Sequence, residues 1–125
     1  MQLKSEEVFL AMNDVILNKT ATIERCVKRI HEVYEDNPDT LTDYTKQDSI
    51  ILNIQRACEA SIDLAMHIVS ERKLGVPKAS REAFKLLQDA GLIDETLAKT
   101  LMNMVEFKNI AVHDQALQLE ILKLY

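Results

Sequence analysis

The sequence predicts an all-α protein, a bundle of four to five helices, and three observations carry that prediction. Glycine and proline are scarce, two of each in 125 residues, whereas an all-β chain of this size needs many glycine-dependent turns. Apolar residues recur three and four positions apart over long stretches. The few strong breakers, Pro38, Gly75, Pro77 and Gly91, fall between those stretches rather than inside them.

In the first helix, expected from about Glu6 to Tyr34, Ile23, Cys26, Val27, Ile30 and Tyr34 share one face. It ends in "EDNPDTLTD", a polar stretch that reads as a loop. The second helix opens with "TKQD", where Thr45 followed by Asp48 resembles a capping box. Its stripe, Ile50, Ile54, Ala57, Ser61, Ala65 and Ile68, continues to about Glu71, and "KLGVPK" stops it, with Gly75 able to take a left-handed turn. A short third helix is expected from an N-cap at Ser80 to Gly91. The fourth starts after Asp94 and carries Leu97, Leu101, Met104 and Val105. The tail "LQLEILKLY" reads as a last helix, although its near-alternation also fits a strand.

Length and apolar content, 47%, fit one compact domain spanning residues 1–125. Two long and two short amphipathic helices make a lean core for one chain, so a dimer that shares the core is expected. No apolar run approaches the roughly 20 residues needed to cross a bilayer. The start, "MQLKSEEVFL", has no apolar segment of the secretory kind, so a cytoplasmic protein with no membrane association is expected. Cys26 and Cys58 lie in apolar stripes and read as reduced core residues. The net charge of −5 argues against nucleic-acid binding by bulk charge and requires a local patch or a partner if RNA is bound.

Candidate chemistry is sparse. There is no glycine-rich phosphate loop and no serine elbow. Asp48, Arg56, Glu59, Asp63 and His67 run along the second helix, with most neighbours three or four residues apart, and read as a solvated face laced by ion pairs. Glu59 and Asp63 lack a second acidic pair, so no metal is expected. His31 reads as a surface residue.

The stretch "VEFKNIAVHDQ", Val105 to Gln115, is different. On a continuous helix Asn109 and His113 share a face, whereas Lys108 is turned about 140° from His113. The two cooperate on one phosphate only if the helix breaks between them or if two copies meet there. Alternatively, Lys108 extends from a core edge beside Met104 and Val105.

The run "FKNIAVHD" resembles the signature of the HEPN superfamily, in which arginine, usually followed by asparagine, precedes histidine by four to six residues. The chain is most similar to the HepT-like toxins of HepT–MntA systems. "QDSIILNIQRACEASIDLAMHIV" looks like that family's second helix, and "LGVPKASREAFKLLQDAGLID" like its linker and third helix. The resemblance implies a homodimeric helical bundle with a composite interface site and metal-independent endoribonuclease activity without a cofactor. It assigns acid/base catalysis to His113 and grip on the scissile phosphate to Lys108. Asn109 and Asp114 would support substrate binding. The expected partner is an MntA-like nucleotidyltransferase antitoxin.

Two residues depart from the family pattern. Lys108 stands where the family has arginine, keeping the charge but losing the planar two-pronged grip. Gln115 stands where a tyrosine commonly accepts AMP from the antitoxin, and glutamine has no phenol. The sequence given ends at Tyr125, earlier than the family's last helix usually runs. These departures leave a second reading, a catalytically inactive HEPN dimer that binds a nucleotidyltransferase partner.

Overall fold

The computed structural model describes the backbone of residues 2–113 and the side chains of residues 14–109. Among the described residues the chain is entirely helical. The elements run α1 (Gln2–Tyr34), a 3-10 turn (Pro38–Thr42), α2 (Tyr44–Glu71), α3 (Ser80–Asp89) and α4 (Glu95–His113). The tail "LQLEILKLY", expected as a helix or strand, lies outside the described residues.

Helices α1 and α2 pack along each other as an antiparallel pair. The connection is tight. Glu35 and Asp36 both take positive φ, 53° and 52°, and Thr40 Oγ1 donates to the Tyr34 carbonyl at 3.0 Å. Leu41, 3% exposed, then tucks beneath the helix pair.

The cap of α2 differs from the sequence expectation. Asp43, not Thr45, is the N-cap, its carboxylate accepting from the Thr45 and Lys46 amides at 3.0 and 3.2 Å. A carboxylate at the positive helix end satisfies two orphan donors at once, which places the helix start at Tyr44. The other end differs too. Lys73, with φ 54°, takes the left-handed position expected for Gly75. Leu74 N–H then reaches back to the Val69 carbonyl at 3.0 Å, the crossed pattern that closes a helix and folds an apolar residue onto it. Gly75, at φ 147°, serves the linker that follows, where a Cβ would stand 3.2 Å from Leu86.

Ser80 is likewise inside α3 rather than before it. Ala79 occupies the N-cap without a side-chain bond, and the Lys78 amide donates to Glu82 at 2.9 Å. Gly91, at φ 76°, ends α3 as expected, with Leu92 N–H bonded to the Leu87 carbonyl. Asp94 caps α4, accepting from the Leu97 amide at 2.7 Å.

The main core lies where α2, α3 and α4 meet. Ile62, Ala65 and Val69 of α2 pack with Ala83, Phe84 and Leu87 of α3 and Val105 of α4. Cys26 and Cys58 are both buried and unbonded to each other, as expected of core thiols. Val27, placed on the apolar face of α1 by spacing, is 41% exposed; the buried face of α1 is narrower than its periodicity suggests.

Candidate functional site

Helix α4 runs without a break from Glu95 through Lys108 and Asn109 to His113. That closes one of the two routes by which Lys108 and His113 could meet. At about 100° per residue they point roughly 140° apart on one rigid cylinder. The His113 side chain lies outside the described residues, as do Asp114 and Gln115; position 113 is fixed by the backbone of α4.

Lys108 is placed by the core. Val105, 4% exposed, belongs to the same buried cluster as Ile62. One turn further along α4 comes Lys108, and one turn earlier along α2 comes Cys58. The two helices therefore place the half-buried lysine near enough for its charge to act on a thiol that is 4% exposed. Burial pushes the Cys58 thiol up from 9.0 to about 11, the Lys108 ammonium partly offsets this, and the Glu59 carboxylate adds to it. Lys108 thus sits half-buried at the edge of the core, a position that its long apolar stem suits. Asn109, the next residue, is exposed.

The raised thiol carries a testable sign. Its proton is bound more tightly in the folded state, so its contribution is fully present below pH 9 and is lost as pH rises towards about 11. The stability of wild type should fall relative to Cys58→Ala across that window, by about 1 kcal/mol at pH 10 and by no more than about 3 kcal/mol beyond it. Equilibrium denaturation at pH 7 and pH 10 measures it; parallel pH profiles for the two proteins would exclude this origin.

Among the described residues the polar series on α2 does not form the expected ladder of ion pairs. Asp63 instead reaches across to Lys19 of α1 at 3.3 Å. His67 is half-buried, and its Nε2 is enclosed without a hydrogen-bond partner among the described residues. Glu59 and Arg56 are exposed, and His31 lies at the surface as expected. Between α3 and α4, the Arg81 guanidinium is hydrogen-bonded to Glu106. Their separation of 25 residues left no local signal for this pair in the sequence. A surface cavity of about 540 Å³ beside Met66, Ser70, Lys73 and Pro77 includes none of the predicted site residues.

Among the described residues, four helices run in this order, with lysine, asparagine and histidine on the unbroken α4. The family model described as "Ribonuclease HepT-like" matches residues 23–122. The chain belongs to the HepT-like ribonuclease family.

This HepT-like chain is 53% identical over 111 residues to the mRNA nuclease HepT of Shewanella oneidensis, covering 88% of this chain and 84% of that one. It resembles the toxin in a solved structure of a toxin–antitoxin pair of MntA and HepT, with TM-score 0.80, 52% identity, and coverage of 86% of this chain and 82% of that one. A tri-AMPylated HEPN toxin of Shewanella oneidensis, solved in complex with an MNT antitoxin, matches with TM-score 0.77 and 52% identity over 81% of this chain and 76% of that one. No helix among the described residues of this HepT-like protein is long and apolar enough to cross a membrane.

Proposed function

We propose that this chain, as a single domain spanning residues 1–125, is the toxin of a HEPN–MNT toxin–antitoxin pair. It cleaves RNA without a metal ion at a site built by two copies of the chain. The observation that carries the composite site is the unbroken α4, on which Lys108 and position 113 diverge by about 140°. One copy presents only half the chemistry to a given phosphate, and a second copy across an interface supplies the rest. Apolar side chains left exposed on three helices, Leu17 of α1, Leu52 and Met66 of α2 and Leu97 of α4, support a further chain packing against this one.

In this reading the ribose 2′-oxygen attacks the adjacent phosphorus while the bond to the 5′-oxygen breaks. His113 carries the proton transfer, suited by an imidazole whose ordinary pKa is about 6.5. Lys108 neutralises the charge that develops on the phosphoryl oxygens. Asn109 orients the phosphate, and Asp114 supports the histidine end of the motif. The products are a 2′,3′-cyclic phosphate and a 5′-hydroxyl. The antitoxin is a nucleotidyltransferase of the MNT type, and the site of action is the cytoplasm. Because Gln115 offers no phenol, restraint of this toxin does not pass through an AMP ester at that position.

A second reading is favoured by Lys108 itself. Lysine is a point charge and lacks the fork that holds two phosphate oxygens at once, so the same fold also serves as a non-catalytic dimer that binds the nucleotidyltransferase. Incubation of purified protein with RNA in EDTA separates the two. Wild type should cleave slowly, and Lys108→Arg should be faster by about tenfold, the equivalent of one added charge-assisted hydrogen bond in the transition state. No cleavage by either protein would leave the binding module standing and remove the ribonuclease.

A further inference from the structure

We propose that Arg81 of α3 is a substrate-binding residue that holds an RNA phosphate flanking the scissile one; this rests on the ribonuclease reading above. The argument starts from register. Glu106, Asn109 and position 113 follow one another at three- and four-residue steps, so Glu106 and position 113 differ by only about 20° around α4. Lys108 projects on nearly the opposite side, about 160° from Glu106. The face of α4 that carries Asn109 and position 113 therefore has no lysine or arginine of its own over this stretch.

Arg81 supplies one from outside the helix. Its guanidinium is bonded to Glu106 while its side chain remains 52% exposed. Its backbone is anchored by Ala83 and Phe84, 0% and 2% exposed, which pack in the same cluster as Val105, the residue before Glu106. The guanidinium is thus set at the head of the Glu106–Asn109–113 face by rigid core rather than by a loop. An ion pair this exposed contributes little to stability, so holding α3 to α4 does not account for it well. Guanidinium has five donors in a fixed fork, and a bond to Glu106 leaves an edge free for phosphate oxygens. Seven residues of helix separate Glu106 from position 113 by about 10 Å, which places Arg81 over a neighbouring phosphate and not at the bond that breaks. A chain with net charge −5 needs such local cations to hold a polyanion.

The test uses a short 2′-O-methyl oligoribonucleotide, which binds but cannot be cut, and its unmodified counterpart. Arg81→Ala should weaken binding of the uncleavable RNA about tenfold and reduce the salt dependence by about one phosphate contact. It should raise KM for the unmodified oligonucleotide without changing kcat, and leave cleavage of a dinucleoside monophosphate, which has no flanking phosphate, unaltered. Glu106→Gln frees Arg81 and should leave binding equal or tighter. Two results would overturn the proposal: an unchanged salt slope in Arg81→Ala, or the same loss in Glu106→Gln as in Arg81→Ala, which would make the pair a strut. If unmodified RNA is never cut, the ribonuclease reading fails while the salt slope still decides the role of Arg81.

Discussion

His113→Ala should reduce RNA cleavage in EDTA by about 10²–10⁴-fold while leaving the helical content of the protein unchanged. Internal attack on a phosphate requires a proton to leave the 2′-hydroxyl and a proton to reach the departing 5′-oxygen. At neutral pH only imidazole among ordinary side chains performs both transfers readily. Among the candidate residues, lysine is too weak an acid and asparagine does not titrate. On the proposed roles the loss should fall on kcat rather than on binding, because Lys108 and Asn109 would still hold the phosphate. The proposed composite site adds a second expected outcome. Mixing inactive Lys108→Ala and His113→Ala proteins allows hybrid dimers in which one copy contributes an intact lysine and the other an intact histidine. Part of the wild-type rate should return on mixing. Single-turnover cleavage of a labelled oligonucleotide measures both effects, and mixtures as inactive as their parents would mean that each chain works alone.

The largest expected effect on stability is at Phe84. Its ring is 2% exposed and belongs to the same buried cluster as Val69, Leu87 and Val105, where α2, α3 and α4 converge. Truncation to alanine removes the transfer energy of the ring and leaves a cavity that α3, short and bounded by the turns at Gly75 and Gly91, cannot close. The cost should be about 3–5 kcal/mol, a large fraction of the 5–15 kcal/mol typical of a domain. The melting midpoint should fall by roughly 10–20 °C. Urea denaturation of Phe84→Ala gives the number directly, and a loss below about 1 kcal/mol would mean that α3 is not part of the cooperative unit.

Much of the fold was legible because helices leave local traces. The apolar spacing of α2, the breakers at Gly75–Pro77 and Gly91, and the start of α4 after Asp94 each act over three to five residues, the range in which a sequence speaks for itself. Mistakes arose where two local candidates competed. Asp43 took the cap expected for Thr45 because a carboxylate reaches two amides. Lys73 took the left-handed position expected for Gly75 because the crossed bond from Leu74 to Val69 requires it one residue beyond the C-cap. The ion-pair ladder on α2 failed for a different reason. An adjacent helix offered Asp63 a partner, Lys19, that no spacing within α2 reveals.

By itself the sequence determined the helical class and the angle between Lys108 and position 113, since both depend on residue order along a helix of known pitch, while the family was legible only through the resemblance of its motifs. It left open whether that helix stays whole and what lies against each of its faces. The tertiary structure decided these points. It kept α4 continuous to His113, brought the Lys108 charge within electrostatic reach of Cys58, and placed Arg81 beside Glu106. Periodicity records which side of a helix is apolar, whereas the identity of the neighbour depends on how separate helices cross.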